Sequence, residues 1–414
     1  MDEQAGVLLV ATMDTKGEEA TFVEGCLREA GVNALILDAG IRGRCDRPVA
    51  VTREEVAGLA GTTLEAVQSL GHEGEALGAM IRGAVPMARR LYEEGRVLGV
   101  FGIGGSMGTT LGTAVMRAFP IGLPKVMVTT MASRDTRAFV GTRDLFMLHS
   151  VCDLSGVNRI TRDVLRNGAL AMAGMVHWAA KARPEATRPL AVISTLGTTE
   201  ICAVQVRKGL EARGYEVVVF HTVGSGGEAM EEIIQERNVK AVVDLSLHEL
   251  TDHRFGGDYD AGPNRGRAAM QKGVPTVLVP GNVDFLVYGA LEKAEKRFPG
   301  RKIHVHNAAI TTIRAADEEI EAVGRAVAGL CAEAAGPVEV VVPRVGLSAF
   351  DHPDHGPLYA PNGPESFLRG LHAELNSACP VREIPAHVND PVFVEAVLDA
   401  LDRAAGAQGA NPEV

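Results

Sequence analysis

A short apolar run that leads through a polar or glycine-rich turn into a helical pattern recurs along this sequence. The first run, residues 6–11, is followed by a helical pattern over residues 18–30 and by another apolar run at residues 33–38. Continuous apolar runs of this length are typical of strands that are covered on both faces. Strand, helix and strand in this order predict a parallel sheet with right-handed crossovers, so we expect an α/β fold.

The alternation restarts after a charged, proline-bounded segment at residues 181–189. Such a segment between periodic stretches is typical of a linker. A chain of 414 residues is long enough for two or three domains. We therefore predict an N-terminal α/β domain over residues 1–183 and a C-terminal α/β domain over residues 184–414.

The clearest functional signal lies in residues 97–116. The apolar run at 97–103 is a predicted strand, and the glycine-rich turn at 104–110 leads into a predicted helix. Free backbone N–H groups and the helix dipole favour an anion at such a turn. The turn is neither a Walker A loop nor a good dinucleotide fingerprint, so its sequence does not name a ligand. The alternative is a tight turn that binds nothing.

Two further turns have a similar position. Residues 12–17 follow the first predicted strand, and ligands of parallel sheets bind beyond the carboxyl ends of the strands. This turn and the glycine-rich turn could therefore converge on one ligand. Within it, the alternative for Asp14 is a helix cap, and the alternative for Lys16 is a solvated side chain. Residues 222–227 form a second candidate anion site in the C-terminal half.

Five polar clusters follow predicted strands of the C-terminal half. Because parallel strands end at one edge of their sheet, we predict that the clusters face a single crevice. Imidazole and carboxylate groups there could run acid–base chemistry or bind a metal, but no known metal motif is matched and the metal stays unknown. The alternative for each histidine is a capping or core residue. The candidate catalytic residues are His248, Asp252, Asn282, His306, Arg314 and His387.

Charge and composition exclude several classes of function. The formal net charge of −11 argues against a broad nucleic-acid surface, because phosphate binding needs clustered Lys and Arg. No stretch approaches the ~20 apolar residues that span a bilayer. The N-terminal sequence is not that of a signal peptide. The six cysteines contain no CxxC pair and are expected to be reduced. We expect a cytoplasmic protein without nucleic-acid or membrane partners.

Several motifs occur in one order along almost the whole chain. The N-terminal half contains DTKGEE, GIGGSMGTTLGT and VTTMAS, and the C-terminal half contains HTVGSGGEAMEEII, DLSLHELTDHRFGG, PGNVDF, HVHNAAITTIR and HVNDPVF. With these motifs the chain resembles the family named for the ATP-binding domain of the tomato mosaic virus resistance protein, whose bacterial members have no assigned function. The resemblance implies two Rossmann-like domains, each a mostly parallel sheet flanked by helices. It also implies ATP in the N-terminal domain and a homodimer.

The plant protein has a further barrel domain, which we expect this chain to lack, so its antiviral activity is not carried over. The resemblance implies that ATP contacts residues in four segments. Lys16 would supply a point charge, backbone N–H groups of the glycine-rich turn would bind phosphate, and Asp14 would hold Mg²⁺ through water. The implied ATP-binding residues are Asp14, Thr15, Lys16, Gly104, Gly105, Ser106, Gly108, Thr109, Thr110, Thr130, Ser133 and Arg143.

Three functions remain open at this point. The first is an ATP-binding protein with a small-molecule site in the cleft or in the second domain, which could be an ATP-dependent enzyme of small-metabolite metabolism. The second is an ATP-responsive dimeric module that regulates a partner without turnover. The third is a nucleotide-independent hydrolase or isomerase that uses the histidine-rich crevice. The sequence does not identify the substrate.

Overall fold

A computed structural model describes residues 5–43, 45–179, 181, 188–375 and 379–409. The chain divides into two compact units, Met1–Pro184 and Glu185–Val414. The boundary predicted between residues 183 and 184 lies outside the described residues. No helix among the described residues is long and apolar enough to cross a membrane.

The first unit contains one five-stranded parallel sheet with the strand order β2-β1-β3-β4-β5. From β1 the chain moves outward to β2, returns across β1 to β3, and then continues outward in the other direction. The turns after β1 and β3 therefore diverge and leave a crevice between them, which is where ligands bind in such sheets. The strands are β1 (Gly6–Ala11), β2 (Ala34–Asp38), β3 (Val97–Gly104), β4 (Lys125–Thr129) and β5 (Phe146–His149).

Helices cover both faces of this sheet. The strands β1 and β4 are fully buried, so their apolar side chains pack against helices above and below. Each fully buried Leu or Val side chain contributes about 1.5–3 kcal/mol to the stability of the core. The helices are α1 (Met13–Glu29), α2 (Arg53–Leu59), α3 (Leu64–Gln68), α4 (Glu73–Glu93), α5 (Ser106–Arg117), α6 (Arg137–Val140) and α7 (Arg159–Ala179).

The second unit repeats this topology with one strand more. Its six-stranded parallel sheet has the order β14-β13-β9-β8-β6-β7, so the chain reverses direction between β6 and β8. The strands are β6 (Leu190–Thr195), β7 (Glu216–His221), β8 (Val239–Ser246), β9 (Thr276–Gly281), β13 (Val338–Pro343) and β14 (Val381–Ile384).

A three-stranded antiparallel sheet, inserted between β9 and β13, was not predicted from the sequence. Its order is β10-β12-β11. Its strands are β10 (Phe285–Tyr288), β11 (Ile303–Val305) and β12 (Thr311–Arg314). The helices of the second unit are α8 (Glu200–Ala212), α9 (Ser225–Glu236), α10 (His248–Phe255), α11 (Arg267–Gln271), α12 (Leu291–Arg297), α13 (Asp317–Ala332), α14 (Gly363–Glu374) and α15 (Pro391–Gly409).

The predicted fold class is confirmed. Each unit is a parallel sheet flanked by helices, as in Rossmann-like domains. The predicted start of the first helix at residue 18 was wrong, because α1 begins at Met13 and only Lys16 departs from helical dihedral angles (φ −126°, ψ 18°).

Candidate functional site

The crevice between β1 and β3 holds a cavity of about 310 Å³. The turn after β1 and the glycine-rich turn after β3 both line it, as do the segment after β2 and the start of α4. One wall is apolar and the remainder is polar. The lining residues are Thr12, Asp14, Thr15, Lys16, Ala39, Ile41, Arg42, Glu73, Leu77, Gly104, Gly105, Ser106, Met107, Gly108 and Asp153.

The glycines of the turn have different structural roles. A Cβ on Gly104 would lie 2.7 Å from Gly108 Cα, and one on Gly108 would lie 2.8 Å from the Ile103 carbonyl oxygen. These two glycines therefore allow α5 to pack closely against the end of β3. A Cβ on Gly105 would meet nothing nearer than Thr130 Oγ1 at 3.8 Å. The protein itself does not require a glycine at position 105.

Gly105 is the residue that precedes α5, and no side chain caps this helix. The first N–H groups of a helix have no partner within it, so those of residues 106–108 are available at the cavity. The positive end of the helix dipole lies at the same place. An anion in the cavity would interact with both the free N–H groups and the helix dipole. Because residue 105 has no Cβ, nothing on that residue would block the approach of the anion.

The turn after β1, which is the first turn of α1, contributes three polar side chains. Lys16 Nζ donates a hydrogen bond to the Leu154 carbonyl oxygen at 2.5 Å. Thr15 Oγ1 lies 2.8 Å from Thr12 Oγ1. Asp14 Oδ2 accepts a hydrogen bond from the Arg42 N–H at 2.6 Å, whereas the buried Asp14 Oδ1 has no hydrogen-bond partner among the described residues.

The unpartnered oxygen of Asp14 fits a role toward Mg²⁺. No group of three or more His, Cys, Asp or Glu residues within the described parts of the chain could hold a metal by itself. A Mg²⁺ ion bound with a nucleotide commonly uses one or two carboxylates together with phosphate and water oxygens. Asp14 and the nearby Asp153 supply that number.

Five of the residues implied by the resemblance do not line the cavity, namely Thr109, Thr110, Thr130, Ser133 and Arg143. Thr109 is buried, and its hydroxyl bonds the Gly105 carbonyl and the Thr129 hydroxyl. The Thr110 hydroxyl donates to the Ser106 carbonyl oxygen within α5. Ser133 is exposed in the 3₁₀ turn after β4.

Arg143 lies at the wrong end of α5 for the predicted role. Its Nε donates to the carbonyl oxygen of Arg117, the last residue of the helix, whereas the glycine-rich turn is at the first. A helix of 12 residues is about 18 Å long, so this guanidinium does not reach the turn. Thr130 does remain beside the turn, next to Gly105.

Several residues that line the cavity were not among the site residues predicted from the sequence. Ile41, Leu77 and Met107 form its apolar wall, and the Arg42–Glu73 ion pair lies beside them. Apolar residues in α4 and α5 have the same periodicity whether they face a core or a cavity, so no local signal separates them.

In the second unit the predicted anion site at residues 222–227 is filled by the protein itself. Glu249 Oε1 accepts hydrogen bonds from the N–H groups of Gly224 and Gly227 at 2.7 and 3.0 Å. The buried Arg265 donates to Glu249 Oε2 at 2.6 Å and forms two bonds with Asp244. An external anion would have to displace an internal ion pair, so this prediction was wrong.

His248 and Asp252 form a buried pair within α10. His248 Nδ1 lies 2.9 Å from the Asn282 carbonyl oxygen and therefore carries a proton. Its Nε2 lies 3.3 Å from Asp252 Oδ2, without hydrogen-bond alignment. Burial lowers the pKa of His248, but the Asp252 carboxylate and the bond to Asn282 more than compensate and raise it above its ordinary value.

Asp252 also has a structural role, because its carboxylate accepts hydrogen bonds from the backbone N–H groups of Tyr259 and Val287. Asn282 has a positive φ of 63°, a conformation that costs energy for a residue other than glycine. Its side-chain amide bonds the hydroxyls of Thr198, Thr199 and Ser246, which hold it in that conformation.

A second charged group lies after β9 and β13. Arg314 Nη1 donates to Asp351 Oδ1 at 3.2 Å and lies 3.7 Å from Asp284 Oδ2. The Ser348 hydroxyl donates to Asp284 Oδ2 at 2.7 Å, and His387 Nε2 lies 2.9 Å from the Ser348 carbonyl oxygen. Asp284, Ser348 and Asp351 were absent from the predicted catalytic set, although Asp284 and Asp351 belong to the same polar clusters.

Burial sets the ionisation of these groups. It raises the pKa of Asp284, against the charge of Arg314. Burial, together with the charge of Asp284, raises the pKa of Asp351 to about 7. Burial lowers the pKa of His387, and its neighbour His352 acts in the same direction.

The single crevice predicted for all five clusters is not formed as expected. His306 follows β11 in the antiparallel sheet and is exposed, so it does not lie at the edge of the parallel sheet. The other predicted residues do gather near that edge. Five buried side-chain atoms of the second unit have no hydrogen-bond partner among the described residues, namely His248 Nε2, Thr251 Oγ1, Asp284 Oδ1, Thr311 Oγ1 and Arg314 Nε.

Known proteins resemble the chain over nearly its full length. The model of the "Uncharacterised protein family (UPF0261) N-terminal domain" matches residues 5–181, and that of the corresponding C-terminal domain matches residues 188–405. A UPF0261 protein of Clostridium tetani is 35% identical over 347 residues, which cover 83% of this chain and 85% of that protein.

A UPF0261 protein of Rhizobium meliloti is 34% identical over 399 residues, 95% of this chain and 98% of that protein. The ToMV resistance protein Tm-1(GCR237) of Solanum lycopersicum is 33% identical over 351 residues, which cover 80% of this chain and 46% of the tomato protein. The predicted resemblance is therefore confirmed.

Proposed function

The chain belongs to the UPF0261 family, and on that premise we propose that its N-terminal unit binds ATP, with Mg²⁺, in the crevice between β1 and β3. One observation carries this proposal: the turn after β1 and the uncapped N-terminus of α5 line the same cavity. The phosphates lie against the N–H groups of residues 106–108, and Lys16 supplies a positive charge.

The two chemical halves of the cavity support a nucleotide rather than a free phosphate. The polar half contains Asp14, Lys16 and the glycine-rich turn, and the apolar half contains Ile41, Leu77 and Met107. Apolar side chains make no favourable contact with an inorganic anion, but they can pack against one face of a nucleotide base. Mg²⁺ would neutralise phosphate charge there, and the unpartnered Asp14 Oδ1 would be available to hold it.

Titration calorimetry of the full chain with ATP, in the presence and absence of Mg²⁺, tests this function. We expect saturable binding below millimolar concentration, and tighter binding with Mg²⁺. Binding that is absent at millimolar ATP, in protein whose circular dichroism shows a folded α/β domain, would remove the proposal. AMP and inorganic phosphate serve as competitors that separate the contributions of base and phosphates.

The five unpartnered buried atoms of the second unit favour a second function for that unit. Buried polar groups normally find partners, and two of these exceptions are on the adjacent residues Asp284 and Arg314, which indicates a place where a ligand or ordered water belongs. We propose that a small polar metabolite binds beside Asp284 and Arg314. Conversion of that metabolite with ATP would make the protein an ATP-dependent enzyme.

Two alternatives differ in what ATP does. In the first, ATP stabilises a homodimer that regulates a partner without turnover. In the second, the second unit is a hydrolase or isomerase that needs no nucleotide. Phosphate release measured against a panel of sugar acids and other carboxylates identifies the enzyme. No turnover together with ATP-dependent dimerisation, measured by sedimentation, identifies the regulatory module. Turnover of a panel compound without ATP identifies the hydrolase or isomerase.

A further inference from the structure

Two of the six cysteines lie side by side in the second unit. Cys331 Sγ and Cys379 Sγ are 3.3 Å apart, although the residues are separated by 48 positions in the sequence. Cys331 is in the last turn of α13, and Cys379 directly precedes the proline that leads into β14. A disulfide places its sulfurs about 2.05 Å apart, so bond formation needs an approach of little more than 1 Å.

We propose that Cys331 and Cys379 are a redox-active pair that forms a reversible disulfide when the protein meets a hydroperoxide. Both cysteines lie in the second unit, and neither lines the cavity between β1 and β3. The proposal is therefore independent of ATP binding. It also differs from the expectation that all six cysteines stay reduced.

The two thiols have different roles in the reaction. Cys379 is partly exposed, whereas Cys331 is buried, so an oxidant in solution reaches Cys379 first. The hydrogen bond between the sulfurs lowers the pKa of Cys379 and raises that of Cys331. Since the thiolate is the nucleophile, Cys379 attacks and Cys331 resolves.

The reaction takes place in two balanced steps. The Cys379 thiolate attacks one oxygen of the hydroperoxide, and the O–O bond breaks to give a sulfenic acid and an alcohol, or water when the oxidant is hydrogen peroxide. The Cys331 sulfur then attacks the Cys379 sulfur, and the sulfenic oxygen leaves as water with the proton of the Cys331 thiol. The two electrons that the thiols lose, together with their two hydrogens, reduce one hydroperoxide to an alcohol and water, or to two waters when the oxidant is hydrogen peroxide. A dithiol reductant reverses the change.

The position of the pair gives the bond a structural effect. The strand β14 is at the edge of the parallel sheet and pairs with β13 on one side only. A disulfide between Cys379 and Cys331 would link the segment directly before β14 to the end of α13. Closure of a long loop restricts the unfolded chain, so the oxidised protein should melt at a higher temperature.

The experiment uses the reduced full chain, treated with a small excess of hydrogen peroxide, then alkylated and mapped by mass spectrometry. We expect the number of alkylated thiols to fall by two, and one cross-linked peptide to contain Cys331 and Cys379. Dithiothreitol should restore both thiols. In Cys331→Ser, Cys379 should instead be trapped as sulfenic or sulfinic acid, and in Cys379→Ser the buried Cys331 should remain unmodified.

Cys152→Ser removes another partly exposed cysteine and is the matched control, since it should leave the cross-link unchanged. Wild-type protein in which Cys379 proceeds to sulfinic acid without a cross-link would overturn the proposal. Oxidation confined to Cys45 or Cys152 would do the same. Because the mapping is performed on wild-type protein, these outcomes are decisive even where a serine variant folds poorly.

Discussion

Lys16 Nζ donates a hydrogen bond to the carbonyl oxygen of Leu154 at 2.5 Å, and this bond joins the turn after β1 to the segment that follows β5. Lys16 also lines the cavity between β1 and β3. An ammonium group has three donors, so the bond to Leu154 orients the side chain and leaves further donors for a ligand. The lysine thus has a structural role as well as a proposed role in binding.

Lys16→Ala should weaken ATP binding at least tenfold, which corresponds to about 1.4 kcal/mol. It should lower the free energy of unfolding by only about 1 kcal/mol, the usual net value of one hydrogen bond. Calorimetry and denaturant unfolding measure the two quantities. Lys208→Ala, at an exposed position on α8, is the control and should change neither. Unchanged affinity in Lys16→Ala would show that this side chain does not contact phosphate.

Gly105→Ala should weaken ATP binding more than it weakens the fold. Its Cβ has room, with the nearest atom 3.8 Å away, so the loss of stability should stay below about 1 kcal/mol. The same methyl group would occupy the approach to the N–H groups of α5. Gly25→Ala, which also meets nothing within 4 Å, is the control that should keep full affinity. Equal affinity for Gly105→Ala and wild type would mean that no ligand comes close to this residue.

Gly104→Ala should behave differently from Gly105→Ala, because its Cβ would lie 2.7 Å from Gly108 Cα. The end of β3 or the first turn of α5 must then move. We expect a loss of stability of about 1–3 kcal/mol, typical of overpacking, visible as a lower melting temperature of the first unit. A variant as stable as wild type would show that the strand and helix are not as closely packed as the structure indicates.

His248→Ala should destabilise the second unit and leave ATP affinity unchanged. Removal of the imidazole leaves the buried Asp252 carboxylate without its partner, and loss of one member of a buried pair costs about 3–5 kcal/mol in proteins. The double variant His248→Ala/Asp252→Asn should recover part of that loss, because the charge is removed as well. Independent, additive effects of the two substitutions on the unfolding free energy would rule out the ion pair.

The pH dependence of stability should reflect Asp351. Its pKa rises from 3.8 to about 7 on folding, so the folded state binds a proton more tightly than the unfolded state. The resulting stabilisation is complete below pH 3.8 and is lost as the pH rises through about 7. Denaturant unfolding between pH 5 and 8 should show this decline, and Asp351→Asn should flatten it.

The quantity to compare is the slope of the unfolding free energy with pH, not its value at one pH. Asparagine keeps one acceptor oxygen of Asp351 and has an NH2 group in place of the other, so it lowers the stability at every pH. Asp354→Asn, at an exposed position in the same loop, is the matched control and should retain the wild-type slope. His387 contributes in the opposite direction, since its pKa is lowered in the folded state, but both variants keep that residue. A wild-type slope in Asp351→Asn would locate the proton elsewhere.

The sequence by itself located the strands β1 and β3. The predicted run at residues 6–11 is β1, and the run at 97–103 is β3 with one residue fewer. An apolar run depends only on residues that are close in the sequence, so it can be recognised without knowledge of the tertiary contacts. The glycine-rich segment does connect β3 to α5, but the turn predicted over residues 104–110 was too long, because α5 already begins at Ser106.

Only the tertiary structure decided which polar groups meet. The order of the sheet brings the turn after β1 beside Gly105, whereas Arg143 lies at the opposite end of α5. Glu249, more than 20 residues from Gly224, fills an anion site that looked vacant in the sequence. Each of these outcomes depends on contacts between residues far apart in the chain. A sequence motif shows which donors a turn can offer, but the fold decides whether a ligand or the protein itself receives them.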